Sequence, residues 1–525
     1  MVKAVALSVL LTAAALAQAP PPPPPEVVAA NEKIAAKDFD GAIAILEDFT
    51  AKNPRRIGAV TLLARTYAQK GDAEKALATL KRLRETGSVD FDAIRADARF
   101  GELRTDPRFL ALLPKPADFE KPFVEPARVL HEMRGDAKSG QFGWIARRIG
   151  DVDGDKAADF TTSAPTYAVE GTPAGRVYVY SSRSGKLLWK HTGKPNEQLG
   201  LGIEAAGDTN RDGVPDVIAG APGSGHGYVF SGRDGRLLLT LGEGNANAQF
   251  GRHTSTAGDM NGDGYADVFV GAPGDANGAG RATVFSGKDG AALLTLEGEK
   301  AGDAFGSTLA AASGGKSRVL MVGAPGAGPR GTGRVYVYKA LNAKPAFTMD
   351  SDETGGAFGA MFMSVVGDVN ADRTADLYVS DWANAANGRG TGRMYVYSGI
   401  DGKPLITLTG EAPGDGFGIG VADAGDVDRD GAADLIVGAW QHASAAMSGG
   451  KVYVYSGRTQ KLLRTITCRT AGDTFGFDTT NLGDVDGDGA VDFLITSAWS
   501  GVNGFQSGRV FVIAGERPGT RRAPR

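Results

Sequence analysis

The spacing of apolar residues changes once along the chain. From Val27 to Leu113 apolar residues recur with helical spacing, and the pattern repeats at an offset of 34 residues. The repeated positions are Asp38, Ala42, Ala44 and Leu46, which return as Asp72, Ala76, Ala78 and Leu80. The pattern predicts paired helices with small residues where the helices cross closely, followed by a partial third repeat from Phe100 to Leu113.

This period, with Tyr67 and Gly71 before the second helix of a pair, resembles the tetratricopeptide repeat. The resemblance implies a small helical domain at residues 27–114 that binds a peptide partner. A plain helical stack that caps its neighbour is the alternative, and the sequence leaves both open.

After a proline-marked linker at residues 115–126 the pattern changes to short strands in a long repeat. Seven units, 51 to 59 residues apart, each begin with a Phe-Gly or Leu-Gly pair. The pairs are Phe142-Gly143, Leu199-Gly200, Phe250-Gly251, Phe305-Gly306, Phe358-Gly359, Phe417-Gly418 and Phe475-Gly476. Each complete unit holds four short strand-like segments, which is typical of a β-propeller blade.

The fold class is therefore predicted as mainly β, a seven-bladed propeller of four-stranded antiparallel blades over residues 127–515. The seventh unit ends at Ile513 without a fourth strand, whereas Ala127–His131 forms a strand that precedes the first unit. We expect this amino-terminal strand to complete the last blade and close the ring.

The Phe-Gly pairs and the later Gly-Ala-Pro triplets (Gly220–Pro222, Gly271–Pro273 and Gly323–Pro325) resemble the FG-GAP repeat of integrin alpha-subunit propellers. The resemblance implies adhesion-type recognition through one face of the propeller. Arg134-Gly135-Asp136 spells a tripeptide that some integrins recognise, but it aligns with other loops that lead into Phe-Gly, so we interpret it as coincidence.

In six units an acidic loop comes after the Phe-Gly or Leu-Gly pair. Each loop has oxygen-bearing side chains at positions 1, 3, 5 and 9. The residues are Asp151, Asp153, Asp155 and Asp159; Asp208, Asn210, Asp212 and Asp216; Asp259, Asn261, Asp263 and Asp267; Asp368, Asn370, Asp372 and Asp376; Asp426, Asp428, Asp430 and Asp434; and Asp484, Asp486, Asp488 and Asp492. Oxygen ligands at alternate positions suit Ca²⁺ better than Mg²⁺, and unpaired carboxylates this close would repel one another. The sequence predicts up to six calcium ions.

Two observations limit this prediction. An EF-hand loop needs Glu at position 12, where three of these loops have Thr162, Ala219 and Ile495, so the loops are interpreted as β-hairpin calcium loops. The fourth unit has no carboxylate between Ala310 and Arg318, and we expect no metal there.

No enzymatic activity is predicted. Equivalent loops around one rim provide no unique cleft for a pair of catalytic carboxylates, and the five histidines show neither zinc spacing nor a nucleophile motif.

The predicted ligand face is the face of the propeller opposite the acidic loops. It is formed by the loops between second and third strands. Aromatic and histidine side chains there are candidates for stacking on a sugar or anchoring a protein: Trp382, Trp440, His442, Trp499 and Phe505. Packing of the tryptophans between blades is the alternative.

The amino-terminal 19 residues have Lys3, an apolar run and Ala17-Gln18-Ala19, the pattern of a cleaved signal peptide. A proline-rich spacer (20–26) follows, and a basic tail (516–525) ends the chain. Export to the periplasm or the medium is expected, without a transmembrane anchor. The single Cys468 excludes an internal disulfide, which leaves packing or metal ions to stabilise the fold.

A net charge of −4 argues against a nucleic-acid partner. Together these observations predict an exported calcium-binding propeller that acts as a protein- or glycan-binding adhesion module. An accessory domain of an extracellular phospholipase or polysaccharide-degrading enzyme, and a purely structural envelope protein, are the alternatives.

Overall fold

The computed structural model describes residues 22–54, 56–314 and 317–516. The predicted signal peptide, the start of the proline spacer and the basic tail from residue 517 lie outside the described residues. The chain divides into two compact units. One comprises the residues up to Pro122 together with Ala446–Ser448 and Thr470–Gly472, and the other holds the rest of the chain from Phe123 onward.

The first unit is helical, as predicted. Its helices are α1 (Pro25–Ala35), α2 (Phe39–Lys52), α3 (Ile57–Lys70), α4 (Ala73–Glu85), α5 (Phe91–Ala96) and α6 (Pro107–Leu110), with 3₁₀ segments at Ala98–Thr105 and Pro116–Phe119. Gly71 ends α3 with a φ of 90°, a left-handed conformation that glycine adopts without strain.

The repeated residues of this unit serve two structural purposes. Asp38 and Asp72 are the N-caps of α2 and α4, and each carboxylate accepts the backbone N–H three residues later. The repeated Ala42, Ala76, Leu46 and Leu80 are fully buried. By contrast, the repeated Ala44 and Ala78 are exposed, so the expectation of a helix crossing at those two positions is wrong.

The second unit consists of short strands. In chain order they are β1 (Val129–Arg134), β2 (Ala146–Gly150), β3 (Asp159–Ala164), β4 (Ala168–Val169), β5 (Thr172–Pro173), β6 (Arg176–Tyr180), β7 (Leu187–Thr192), β8 (Ile203–Gly207), β9 (Asp216–Ala221), β10 (His226–Phe230), β11 (Leu237–Leu241), β12 (Thr254–Gly258), β13 (Asp267–Ala272), β14 (Arg281–Phe285), β15 (Ala292–Glu297), β16 (Thr308–Gly314), β17 (Ser317–Ala324), β18 (Arg334–Lys339), β19 (Phe347–Asp350), β20 (Met363–Val366), β21 (Asp376–Asp381), β22 (Arg393–Tyr397), β23 (Pro404–Thr409), β24 (Phe417–Gly425), β25 (Asp434–Ala439), β26 (Lys451–Tyr455), β27 (Leu462–Thr467), β28 (Thr479–Gly483), β29 (Asp492–Ser497) and β30 (Arg509–Ile513). Single helical turns occur at Ala246–Ala248 and Asp275–Gly278.

These strands form seven four-stranded antiparallel sheets. Blade 1 has the order β2-β3-β6-β7 with the small hairpin β4-β5 beside it, and blades 2 to 6 use consecutive strands from β8 to β27. The first strands of neighbouring blades contact each other around the ring, including β28 with β2. The predicted seven-bladed propeller is therefore confirmed.

Ring closure also follows the prediction. Blade 7 has the order β28-β29-β30-β1, and β1 pairs antiparallel with β30 from Val129 opposite Ile513 to Arg134 opposite Arg509. The amino-terminal strand thus supplies the fourth strand that the last unit lacks, which leaves no blade with an unpaired third strand.

Close contact between blades explains the repeated glycines. The N–H of Gly251 donates to the carbonyl of Gly271 in its own blade, while Gly251 also lies directly on Gly220 of the preceding blade. A Cβ added at Gly220 would lie 1.6 Å from the Gly251 carbonyl oxygen, and the equivalent glycines of three further blades (Gly271, Gly323 and Gly438) would place a Cβ 1.8 to 2.1 Å from the next blade's backbone. Side chains are excluded at these positions by space rather than by backbone conformation.

The phenylalanine of each Phe-Gly pair packs inside its blade. Phe142, Phe305, Phe358 and Phe417 are almost fully buried, and each ring lies edge-on to a tyrosine of the third strand at a centroid distance of 5.0 to 5.5 Å. This arrangement buries large apolar area and keeps the Phe-Gly segment in register with the rest of the blade.

Candidate metal sites and binding face

The six acidic loops connect the first and second strands of blades 1, 2, 3, 5, 6 and 7. Each loop wraps around its first aspartate. In blade 1, Asp151 Oδ1 accepts the N–H groups of Gly154 and Asp155 and Oδ2 accepts that of Lys156, at 2.7 to 3.2 Å. The same pattern recurs at Asp259, Asp368, Asp426 and Asp484. The backbone of each loop therefore fixes the carboxylate of its first aspartate, including Asp208 in blade 2.

The aspartate at position 9 is the first residue of the second strand and is completely buried in all six blades. In blade 1 the Asp159 carboxylate accepts the N–H of Val152 at 2.9 Å and that of Ser182, in the turn after the third strand, at 3.0 Å. Equivalent pairs of bonds hold Asp216, Asp267, Asp376, Asp434 and Asp492. This residue joins the acidic loop to the neighbouring turn, a structural role that the sequence pattern does not reveal.

Burial of these carboxylates has an electrostatic consequence. The pKa of Asp159, Asp376 and Asp434 is raised to about 6, mainly by burial and to a smaller extent by carboxylates at other positions of the same loop, although backbone hydrogen bonds lower it. The pKa values of Asp216, Asp267 and Asp492 are raised for the same reasons. A nearby cation would offset the part of these shifts that comes from repulsion between carboxylates.

The donor set fits a hard cation. In the three loops with four aspartates, three carboxylate oxygens lie within 4.8 Å of one another. These groups are Asp151, Asp153 and Asp159; Asp426, Asp428 and Asp434; and Asp484, Asp486 and Asp488. Oxygen atoms at such separations can bind one Ca²⁺, which takes six to eight oxygen ligands. In the other three loops Asn210, Asn261 and Asn370 supply an amide oxygen at position 3.

The candidate ligand-binding aromatics do not form an open surface. Trp440 is fully buried, and Trp499 and Trp382 are 5% and 9% exposed. Trp440 and Trp499 pack on each other with centroids 5.2 Å apart, and both contact Phe477. This geometry matches the packing alternative. Any ligand contact by the indoles stays a prediction that would require the surrounding loops to move, whereas Phe505 remains partly exposed.

His442 is buried beside two carboxylates and a serine. Its Nε2 lies 2.8 Å from Ser444 Oγ, and its Nδ1 lies 3.1 Å from Asp415 Oδ1. Serine, histidine and aspartate in this order resemble the catalytic triad of a hydrolase. However, Nδ1 makes no hydrogen bond within the described residues, so the aspartate does not orient the ring as a triad requires. The contacts anchor the loop after β25.

Acidic residues before three of the Phe-Gly pairs form contacts that the sequence reasoning missed. The Asp136 carboxylate accepts hydrogen bonds from the Tyr178 hydroxyl and from Arg176, each at 3.1 Å. Asp352 accepts from Tyr395 and Arg393 in the same way, and Glu299 accepts from Tyr336. A signal existed in the sequence of these three units: an acidic residue before the Phe-Gly pair together with a tyrosine in the third strand. Asp136 of the Arg-Gly-Asp tripeptide is thus held by its own blade.

A buried ionic cluster lines the centre of the ring. Arg147 of β2 donates one hydrogen bond to Glu204 of β8 at 2.9 Å and another to Asp478, which precedes β28. Burial raises the pKa of both carboxyl groups, and burial lowers the pKa of the adjacent His253 to about 3. The first strands enclose a cavity of about 200 Å³ here. Arg147 and Asp478 are more than 300 residues apart in sequence, so no local sequence pattern predicts their contact.

Comparison with known proteins agrees with this architecture. Residues 33–96 match the tetratricopeptide repeat family, and residues 203–238 and 250–285 match the FG-GAP repeat family. The chain is 30% identical to integrin alpha-4 of Xenopus laevis over 178 residues, which is 31% of this chain and 17% of that protein.

Two further integrins show the same relationship. Identity to human integrin alpha-11 is 35% over 118 residues, and identity to chicken (Gallus gallus) integrin alpha-6 is 33% over 107 residues. These matches cover 21% and 19% of this chain, and each covers 10% of the relative. The matches to these three proteins therefore span between a tenth and a sixth of the relatives' length.

The helices in residues 22–54, 56–314 and 317–516 are all too short or too polar to cross a bilayer. The seven sheets, the Phe-Gly contacts between blades and the family matches agree with one another. The chain contains FG-GAP repeats within a seven-bladed β-propeller and a tetratricopeptide-repeat region before it, and part of it is similar in sequence to integrin alpha chains.

Proposed function

We propose that this protein is an exported binding or adhesion module whose propeller is stabilised by calcium. The observation that carries the proposal is the acidic hairpin repeated in six of the seven blades, in three of which three carboxylate oxygens lie within 4.8 Å of one another. The relationship to integrin alpha chains supports a binding role, and the dispersed histidines and absence of a predicted catalytic motif in the sequence favour binding over catalysis.

The residues that would hold the ions are the four oxygen-bearing side chains of each acidic loop. Bound calcium would supply positive charge where three or four carboxylates converge, and it would bind only the folded loop. A ligand that binds the native state alone raises stability by RT ln(1 + [L]/Kd) for each site. With [L] at 100 Kd this amounts to about 2.7 kcal/mol for one loop.

Calcium titration with thermal melting tests the first part of the proposal. We expect the melting temperature of the full chain to rise with CaCl₂ and to return to its starting value on chelation. The matched control replaces Asp151 with Asn, which removes the charge of one ligand but keeps the shape of the side chain. The melting temperature of this variant should rise less with CaCl₂. A melting temperature that does not respond to calcium would refute the stabilising role.

The ligand is proposed to be a protein or carbohydrate that binds the loops between second and third strands, on the face opposite the acidic loops. Phe505 lies in such a loop and is partly exposed, whereas Ile400 lies in a turn on the calcium side and is 58% exposed. An array of glycans and extracellular matrix proteins should show binding that Phe505→Ala weakens and Ile400→Ala preserves. Equal loss in both variants would place the binding surface elsewhere.

Export is part of this proposal because the predicted signal peptide precedes the helical region. Mass spectrometry of the protein from the medium or periplasm should show a chain that begins near Pro20. A chain that keeps residues 1–19 and stays in the cytoplasm would contradict export.

A further inference from the structure

The turn between the third and fourth strands places a basic side chain beside the acidic loop of the same blade. Arg183 Nε lies 3.6 Å from Asp155 Oδ2 in blade 1, Arg233 Nε lies 3.6 Å from Asp212 Oδ2 in blade 2, and Arg458 Nε lies 3.6 Å from Asp430 Oδ2 in blade 6. In every case the carboxylate is at position 5 of the loop. The same distance in three blades indicates that this arginine is a regular feature of the acidic loop rather than a chance surface pair.

Blade 7 reaches a similar arrangement from a different part of the chain. Arg128, immediately before the ring-closing strand β1, lies 2.8 Å from Asp488 at position 5 and also contacts Asp486 at position 3. All three loops with four aspartates therefore have an arginine partner.

Blades 3 and 5 lack such an arginine. The turn position holds Lys288 in blade 3, whose Nζ lies over the Tyr265 ring at 5.7 Å, and Ile400 in blade 5. Here the position-5 carboxylate instead accepts a hydrogen bond from the asparagine at position 3. Asn261 donates to Asp263 at 3.2 Å, and Asn370 donates to Asp372 at 3.0 Å.

An arginine at this position has two opposing effects on a cation in the loop. Its positive charge repels the cation, whereas its contact with the carboxylate could orient a ligand, as outer groups do in many metal sites. Orientation is already provided by the backbone, because Asp212 Oδ1 accepts the N–H of Val214 at 2.9 Å. The corresponding Asp372 Oδ1 accepts the N–H of Thr374, also at 2.9 Å. Repulsion is therefore the effect that differs between blades.

We propose that the residue at this turn sets the divalent-cation affinity of each loop, and that loop 2 is weaker than loop 5 because of Arg233. The inference rests on the proposed function, since it concerns the same calcium loops. Loops 2 and 5 have identical ligand types, three aspartates and one asparagine, and each loop also contains one arginine, Arg211 or Arg373, so each carries −3 + 1 = −2. The Arg233 guanidinium reduces the charge near loop 2 to −2 + 1 = −1, while loop 5 with Ile400 keeps −2.

The two loops form a matched pair for exchange. Arg233→Ile gives loop 2 the neighbour that loop 5 has, and Ile400→Arg does the reverse. Arg236→Ile is the control, because Arg236 lies in the same turn as Arg233 and changes the net charge equally, but its side chain is not paired with loop 2. A unit charge within a Debye length of a divalent ion at the protein surface should change affinity by roughly threefold to tenfold.

Hydrogen exchange read by mass spectrometry on the full chain, titrated with CaCl₂, gives a separate midpoint for each loop. Peptides that cover residues 208–216 and 368–376 report loops 2 and 5. We expect loop 5 to become protected at lower calcium than loop 2 in the parent protein. Arg233→Ile should lower the loop 2 midpoint by roughly threefold to tenfold, Ile400→Arg should raise the loop 5 midpoint by a similar factor, and Arg236→Ile should leave both within twofold.

The outcomes separate the two levels of the proposal. If no loop gains protection with calcium, the proposed function fails and this inference fails with it. If the loops are protected but the exchange variants leave their midpoints unchanged, or Arg236→Ile shifts loop 2 as much as Arg233→Ile does, the inference is wrong while calcium binding stands.

Discussion

The contact between Gly220 and Gly251 gives a sharp test of how the blades pack. Gly220→Ala adds a Cβ that would lie 1.6 Å from the Gly251 carbonyl oxygen, whereas ordinary contacts of this kind begin at 3.4 Å. Blades 2 and 3 would have to separate by about 3.4 − 1.6 = 1.8 Å at this point. The Gly251 oxygen is a backbone atom and the added Cβ is fixed to the backbone of β9, so neither can rotate away.

The cost can be estimated from two opposing terms. Overpacking of a close-packed interior costs about 1–3 kcal/mol and more where the backbone must move. Gly→Ala at an ordinary backbone conformation raises the free energy of unfolding by about 0.4–1 kcal/mol, because it restricts the unfolded chain. We expect a net loss of about 2 kcal/mol or more in the free energy of unfolding. An unfolding entropy of about 2.1 cal/mol/K per residue over roughly 390 propeller residues converts a loss of about 2 kcal/mol to about 2.4 °C in melting temperature.

Thermal melting of the full chain in saturating calcium, followed by near-ultraviolet circular dichroism, measures the shift. Ser163→Ala is the matched control, because Ser163 occupies the equivalent position of blade 1 and its hydroxyl makes no hydrogen bond within the described residues. The control should melt within about 1 °C of the parent protein. A Gly220→Ala variant that melts as high as the control would refute the argument that the glycine is required by contact between blades.

Two further predictions concern buried and half-buried charge. Asp478→Asn leaves the largely buried Arg147 with Glu204 as its carboxylate partner in this cluster and should cost about 3–5 kcal/mol in urea unfolding. A triple change of Arg147→Met, Glu204→Leu and Asp478→Leu leaves no charge of this cluster unpaired and should recover most of that loss. At Asp352, burial raises the pKa, but hydrogen bonds from Tyr395, Thr354 and Arg393 outweigh it and hold the pKa below its usual range. Because the folded pKa lies below the unfolded value, this carboxylate stabilises the protein above about pH 4, and its contribution falls as the pH drops toward the folded pKa. The difference in urea midpoint between the parent protein and Asp352→Asn should therefore be largest near pH 6 and shrink below pH 4, and a constant difference would contradict the assignment.

The architecture could be predicted because its signals are local and repeated. A Phe-Gly or Leu-Gly pair recurs in every blade since each blade must contact its neighbour without a side chain at the glycine. The closing strand β1 could be predicted by counting strands alone. Asp38 and Asp72 recur because each begins a helix, so the 34-residue period reports caps as well as core residues.

The remaining features depend on which way a side chain points. Trp382, Trp440 and Trp499 replace a proline at the edge of the variable face, and nothing in their spacing distinguishes an exposed ring from a buried one. For Trp440 and Trp499 the question is decided by packing against each other and against Phe477 of blade 7. The same applies to Arg147 and Asp478, which meet only because the ring closes between blades 1 and 7.

Blade 4 shows what the acidic loops contribute to the fold. It has no carboxylate in the corresponding segment, yet β16 and β17 pair from Thr308 opposite Gly323 to Gly314 opposite Ser317. A tight hairpin therefore forms a blade without an acidic loop. In the other six blades the position-9 aspartate already joins the loop to the next turn through backbone N–H groups. Bound calcium is thus expected to relieve repulsion among carboxylates rather than to shape the blade, and chelation should lower the melting temperature without abolishing the propeller.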